Sequence, residues 1–152
     1  MNRRDQIAMT VEEQSAYLAN AKTLILTSID REGYPHSVAM WFAVIDGLVH
    51  MTTFRKSQKA VNLRRNPKVT LLAESGATYA ELRGLMIRGR GEIVDDIDVC
   101  MRTMLEVQPR YFGPTDPSVQ EVLRRQAAKR VVIRVHPERV ASWDHTKLGG
   151  TY

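Results

Sequence analysis

The dipeptide Asp46-Gly47, set between "HSVAMWFAVI" (36–45) and "LVHMTTF" (48–54), constrains this chain more than any other feature. Both central positions of a type I′ turn need positive φ, which aspartate tolerates and glycine adopts freely. The two apolar runs are therefore expected as an antiparallel pair in register, with residues 36–45 forming one long strand. Its even positions Val38, Met40, Phe42 and Val44 make a large apolar face, and the odd positions Ser37, Ala39, Trp41 and Ala43 are mostly small. "TLILTSI" (23–29) is a further β-branched, apolar run, closed by the turn formers of "DREGYP". Consecutive strands joined by tight turns predict an antiparallel meander, because parallel units would place a helix between most strands.

Helices frame these strands. Thr10 and Glu13 in "TVEEQSAYLANA" have capping-box spacing, and Val11, Leu18 and Ala21 are expected to form the apolar stripe that follows. Ser57 is a good N-cap for a short helix over "QKAVNLRR", which Asn66-Pro67 stops. "KVTLLAES" (68–75) and "GLMIRGRGEIVDD" (84–96) read as strands, and Gly89 and Gly91 mark a bend or close backbone approach. A helix is expected from about Asp96 through Glu106. "PRYFGPTDP" then reads as a loop, a candidate specificity element on the substrate side. Asp116-Pro117 starts another helix to about Ala128, and "KRVVIRVHPERVASW" supplies one or two closing strands. The order α-β-β-β-α-β-β-α-α-β predicts a mainly β, α+β fold: a small antiparallel barrel with peripheral helices. At 152 residues and 43% hydrophobic, one domain over 1–152 is expected, with a helix at 10–21, a barrel at 23–143 and a tail at 144–152.

Several function classes are disfavoured. Cys100 is the lone cysteine, so no intramolecular disulfide exists, and acidic neighbours argue for a small buried residue over a reactive thiol. No apolar run approaches the ~20 residues of a membrane span, and no apolar stretch follows Arg3 and Arg4, so a cytoplasmic protein is expected. His36, His50, His136 and His145 lack metal-ligand spacing, and no metal is expected.

Charge is concentrated. The formal net charge is +5, yet "TTFRKSQKAVNLRRNPKVT" (52–70) alone holds six cations, Arg55, Lys56, Lys59, Arg64, Arg65 and Lys68, and no anion. The remainder is close to neutral, and Phe54 is the only aromatic in the stretch, so nucleic acid is a poor fit. A strand that ends at Thr52, Thr53 and Phe54, followed by a helix opening at Ser57, places unpaired N–H groups, a hydroxyl, Lys56 and Lys59 at one spot. Such a spot suits a phosphate monoester. Ordinary solvated charge is the competing reading, above all for Arg64, Arg65 and Lys68 near the helix C-terminus.

"GYPHSVAMWFAVIDGLVHMTTFRKSQKAVNLRRNPKVTLLAE" resembles the flavin-binding split-barrel superfamily, the pyridoxamine 5′-phosphate oxidase-like proteins, and within it the branch that uses the deazaflavin coenzyme F420. The likeness runs from the first strand to the end. It includes the Gly33-Tyr34-Pro35-His36 turn, the helix motif K-x-x-N-L-x-x-N-P from Lys59 to Pro67, and the closing S-W-D-H-x-K-L over 142–148. The resemblance implies a homodimer of split β-barrels with cofactor sites at the subunit interface. It implies a tricyclic ring against residues 37–42, meeting Ala39, Met40 and Trp41, and a phosphate held by Thr52 or Thr53, Arg55, Lys56, Ser57 and Lys59. Asn62 would buttress the loop. Arg64, with Arg65, Lys68, Arg88 and Arg90, would suit the acidic tail of F420, which FMN lacks. True pyridoxamine phosphate oxidases carry a different Arg/His-rich C-terminal motif, which "RVHPERVASWDHTKLGGTY" does not match. The implied activity is hydride transfer between F420 and a small electron-poor substrate. The alternatives are an FMN-dependent oxidoreductase and a non-catalytic binder of a flavin, deazaflavin or tetrapyrrole. No catalytic residue is assigned: Tyr79, Tyr111 and Tyr152 are undistinguished candidate proton donors, His145 is a tail anchor or a neighbour of the partner's cofactor, and Trp143 is an interface core residue or a lid over the ring.

Overall fold

Asp46 and Gly47 adopt φ of +52° and +78°, and the strands they join pair as Ala43↔His50, Val44↔Val49 and Ile45↔Leu48. This turn lies within a computed structural model that describes residues 2–150. The elements run α1 (Arg3–Ile7), α2 (Val11–Asn20), β1 (Leu24–Ile29), β2 (Pro35–Met40), β3 (Ala43–Ile45), β4 (Leu48–Phe54), α3 (Gln58–Arg65), β5 (Lys68–Ser75), β6 (Arg83–Val94), α4 (Ile97–Phe112), α5 (Pro117–Ala127) and β7 (Arg130–Asp144). All strand pairs are antiparallel, in the order β2-β1-β5-β6-β7-β4-β3. β2 and β3 are the two ends of that order, yet only Trp41 and Phe42 separate them in the chain. The sheet must therefore curl until its ends meet, which makes a split barrel.

That junction corrects the single strand expected over 36–45. Alternation holds through Met40 and Phe42, then shifts by one residue: Ala43 and Ile45 are buried and Val44 is 42% exposed. A slip of one residue exchanges the two faces of a strand. The barrel interior holds Leu24, Leu26, Met40, Phe42, Met51, Leu71, Leu85 and Ile133.

Thr10 and Glu13 form both halves of the capping box, with Oε2 of Glu13 2.7 Å from the Thr10 N–H. The apolar stripe of α2 differs from expectation. Tyr17, Leu18 and Ala21 pack on the barrel, whereas Val11 is mostly exposed. The short α1 was not foreseen. Gly89 and Gly91 are sites of close approach: a Cβ at 89 would fall 2.1 Å from the His136 carbonyl oxygen, and one at 91 would fall 3.0 Å from Leu63 of α3.

The helix expected to end at Glu106 continues to Phe112 through Pro109. The loop expected over 109–117 therefore shrinks to Gly113–Asp116. Arg110 fixes this last turn: its guanidinium lies 4.7 Å over the Phe42 ring and donates to the Ala19 and Ala21 carbonyls at 3.3 and 2.7 Å. A second apolar cluster under α4 and α5 joins Cys100, Met101, Met104, Leu123, Ala127 and Val132. Burial raises the Cys100 thiol pKa, in keeping with a packing role. No helix among the described residues is long and apolar enough to cross a membrane.

Candidate functional site

β4 delivers Thr52 and Thr53 to a tight turn at the mouth of α3. Thr53, 4% exposed, donates its hydroxyl to Oγ of Ser57 at 3.0 Å, and the Ser57 N–H donates to the Phe54 carbonyl at 3.0 Å. Ser57 Oγ also caps α3 by accepting the Ala60 N–H at 3.4 Å. Two accepted bonds leave the Ser57 hydroxyl proton available to an incoming acceptor. The N–H groups of Gln58 and Lys59 in the first turn have no helical acceptor either.

Lys59 is half-buried beside this turn, and burial, reinforced by the charge of Arg130, lowers its pKa. Arg130 opens β7 opposite Phe54, with its guanidinium 4.4 Å above the Phe54 ring. The Arg130 Nε is buried and has no hydrogen-bond partner. Two neighbouring cations, partly desolvated and without a counter-ion among the described residues, describe a place for an anion. Arg130 was not foreseen from sequence. It stands 71 positions beyond Lys59, and only the pairing of β4 with β7 brings it to the site.

The other expected cations are placed differently. Arg55 faces Asp95, with two bonds of 2.9 Å, and also donates to the Ala128 carbonyl at 3.2 Å. The Asp95 carboxyl is held below its usual range by the hydrogen bond from Arg55. Lys56 is exposed. Arg64 donates to the Arg55 carbonyl at 2.7 Å and Arg65 to the Ile29 carbonyl at 2.6 Å, and neither forms an ion pair among the described residues, although the charge of Arg64 reaches Asp95. Lys68 lies opposite Arg90, and Thr70 opposite Arg88. Asn62 is fully buried, donating to Ser28 Oγ at 3.0 Å and accepting from Gln58 at 2.7 Å, which ties α3 to β1.

β2 ends the sheet order, so half of its N–H and C=O groups face away from β1. Ala39 and Ser37 present small side chains on its outer surface, the Met40 side chain turns inward, and Trp41 is 48% exposed. The Trp41 indole stacks on Tyr111 at 4.4 Å, with Phe112 edge-on at 5.3 Å. The Tyr111 hydroxyl donates to the Lys22 carbonyl and accepts the Phe42 N–H at 3.3 Å, so it is engaged structurally. In the tail, His145 bonds the Tyr79 carbonyl through Nδ1 at 2.9 Å and the Leu82 carbonyl through its N–H at 2.9 Å. Tyr152 lies outside the described residues. No group of three His, Cys, Asp or Glu side chains suited to a metal exists among the described residues.

Comparison with solved structures finds the conserved hypothetical protein Rv2991 from Mycobacterium tuberculosis, 40% identical, with a TM-score of 0.94 over 100% of this chain and 95% of that one. An F420 reductase is 29% identical, with a TM-score of 0.64 over 84% of this chain and 94% of its own. The heme storage protein HutZ from Vibrio cholerae shares the fold at 19% identity, with a TM-score of 0.68 over 87% and 94% of the two chains. A search of curated proteins finds no match. The family model described as pyridoxamine 5′-phosphate oxidase matches residues 10–144. With its split barrel and a family match over most of its length, this chain belongs to that family of flavin-binding proteins.

Proposed function

We propose that the chain binds a phosphorylated flavin-type cofactor, coenzyme F420 in preference to FMN, and serves as an oxidoreductase for a small electron-poor substrate. The observation that carries the reading is the unmatched Lys59–Arg130 pair beside the Thr53–Ser57 turn. Lys59, Arg130, the Ser57 hydroxyl and the first-turn N–H groups of α3 fit a phosphate in charge and in donor chemistry. Ser37 and Ala39 leave the outer surface of β2 open to a flat ring, and its outward backbone groups can hydrogen-bond the ring edge. The bound cofactor supplies the hydride chemistry. The protein positions it, excludes water and orients the acceptor, with the Trp41–Tyr111 stack beside the ring strand. F420 is favoured over FMN because Arg64 and Arg65, at the end of the same α3 whose first turn forms the site, make no ion pair among the described residues and suit a polyanionic tail. The 29% identity to an F420 reductase points the same way.

The active form is a homodimer in this reading. Ala39, Ile25, Leu72, Met86 and Ala141 fall in one row across five strands on the outer face. An apolar row of this kind is suited to burial against a second copy.

Separate titrations with F420 and FMN test the proposal. F420 is expected to bind at micromolar concentration and FMN more weakly. Lys59→Ala should weaken the binding by ~1.5–3 kcal/mol, the scale of a hydrogen bond to a charged group. Equal binding by wild type and variant would remove Lys59 from the phosphate site.

A further inference from the structure

Three valines from three elements are left exposed around one opening. Val44 of β3 lies directly opposite Val49, and Val140 of β7 lies directly opposite Ile87. Val49 and Ile87 belong to the barrel core, and directly opposed residues share a face of the sheet, so Val44 and Val140 are on the core side too. Even so, they are 42% and 40% exposed. Val11 of α2 shares a helical face with Leu18, which packs on the barrel, yet Val11 is 71% exposed. The apolar stripe of α2 and the inner face of the sheet therefore part at this end of the barrel. Between them is a cavity of about 250 Å³, floored by Val49, Leu85, Ile87 and Val135.

Among the described residues no charged side chain lines this cavity. Its two polar side chains are engaged. Gln14 Nε2 donates to the Met9 carbonyl at 3.1 Å and to Ser142 Oγ at 3.4 Å, and Ser15 donates to the Val11 carbonyl at 3.0 Å. Neither has a donor left to select a polar ligand. Three partly exposed valines also fall far short of the ~800 Å² a side that a stable protein interface buries. An apolar cavity of about 150 Å³ accepts benzene, so this one has room for about ten carbons.

We infer that this cavity binds a hydrocarbon chain of about ten carbons, whose polar end stays in the water at the opening. The chain lies between Val11 and Leu18 on one side and Val44 and Val140 on the other, and covers the apolar surface that α2 leaves open. The site is neither on the face assigned to the second copy nor at the cofactor pocket. Successive strand residues point to opposite faces, so Ile87 and Val140 lie behind the sheet from Met86 and Ala141. Val49 stands four residues from Thr53 along β4, roughly 13 Å at ordinary strand rise.

The test titrates the full chain, labelled with carbon-13 at its valine and leucine methyl groups, with 1-butanol, 1-hexanol and 1-octanol, in the presence and absence of F420. The alcohol titration reads the same way whether or not F420 binds, so the two proposals fail separately. Saturable shifts are expected at the methyls of Val11, Leu18, Val44 and Val140, with affinity rising roughly fourfold for each added methylene and unchanged by F420. Val44→Thr/Val140→Thr keeps the side-chain shape and adds two hydroxyls to the wall. In it 1-octanol should bind about tenfold or more weakly, with the melting temperature kept. Shifts that never saturate, or equal binding by wild type and variant, overturn the inference. So does competition from F420, which would make the cavity part of the cofactor pocket. A shift of the Val11 and Val44 methyls with protein concentration alone also overturns it, because a second copy would then fill the opening.

Discussion

At the scale of single residues, the candidate anion site is marked by what its cations lack. Arg55 meets Asp95, Arg83 lies 3.0 Å from Asp144, and Arg134 meets Glu92, whereas Lys59 and Arg130 share a partly desolvated corner with no ion-paired carboxylate among the described residues. If Arg130 is a phosphate ligand, Arg130→Gln should weaken F420 and FMN alike by ~1.5–3 kcal/mol, because both carry the phosphate it would hold. Isothermal titration checks this; loss for one cofactor only would place Arg130 elsewhere on the ligand. The placement of Ser57 and Lys59 at the start of α3 was legible in sequence because a strand end, an N-cap and a first-turn lysine are all local to residues 52–60. Arg130 was not, because its position depends on the Phe54↔Arg130 register, which no local pattern encodes. The engagement of Arg55 with Asp95 was hidden for the same reason, since the two stand 40 positions apart.

At the scale of elements, the instructive case is the end of α4. Proline lacks the N–H that an interior helical turn needs, so Pro109 argued for a stop near Glu106. The turn persists because tertiary bonds hold it: Arg110 to Ala19 and Ala21, Tyr111 to Lys22, and Lys22 Nζ to the Arg110 carbonyl at 2.8 Å. Tyr111→Phe should therefore cost about 1–2 kcal/mol in a urea titration, because the Phe42 N–H and the Lys22 carbonyl lose their shared partner. Trp41 emission should shift as well, since the ring beneath it loses its anchor. A stability change without any change in Trp41 emission would mean that the stack is held by packing alone. Elements fixed by local chemistry were readable in advance: the turn at Asp46-Gly47, the caps at Thr10, Ser57 and Asp116, and the 68–75 strand. The break at Trp41–Phe42 was not, because Phe42, Ala43, Val44 and Ile45 are all apolar, so the one-residue shift in which of them is buried leaves no mark in the sequence.

At the scale of the molecule, α4 is sealed onto the barrel across a polar seam that should make stability depend on pH. His50 is 4% exposed; its Nδ1–H donates to the Leu48 carbonyl at 2.9 Å, and its Nε2 accepts Arg134 Nε–H at 3.1 Å. Burial, and after it the charges of Arg134 on β7 and Arg102 on α4, hold the His50 pKa below the usual imidazole value, against the pull of the Leu48 carbonyl and Asp46. A second proton would turn Nε2 into a donor facing a donor. The unfolded chain takes up that proton near pH 6.5 and the folded chain only at lower pH, so the unfolded state binds more protons between the two values. Stability from this group is thus fully present above about pH 6.5 and declines as pH falls toward the folded value, by at most about 1.4 kcal/mol per pH unit. Carboxylates with lowered pKa add a separate loss below about pH 4.5. Among them Glu92 is bonded by His136, and Asp144 is kept low by Thr146 and Arg83 despite its burial. Urea midpoints at pH 7.5, 6.5 and 5.5 should fall in the wild type and stay level in His50→Gln. If the series falls as steeply in His50→Gln as in the wild type, the pH dependence arises elsewhere, and His50 is only a packed neighbour.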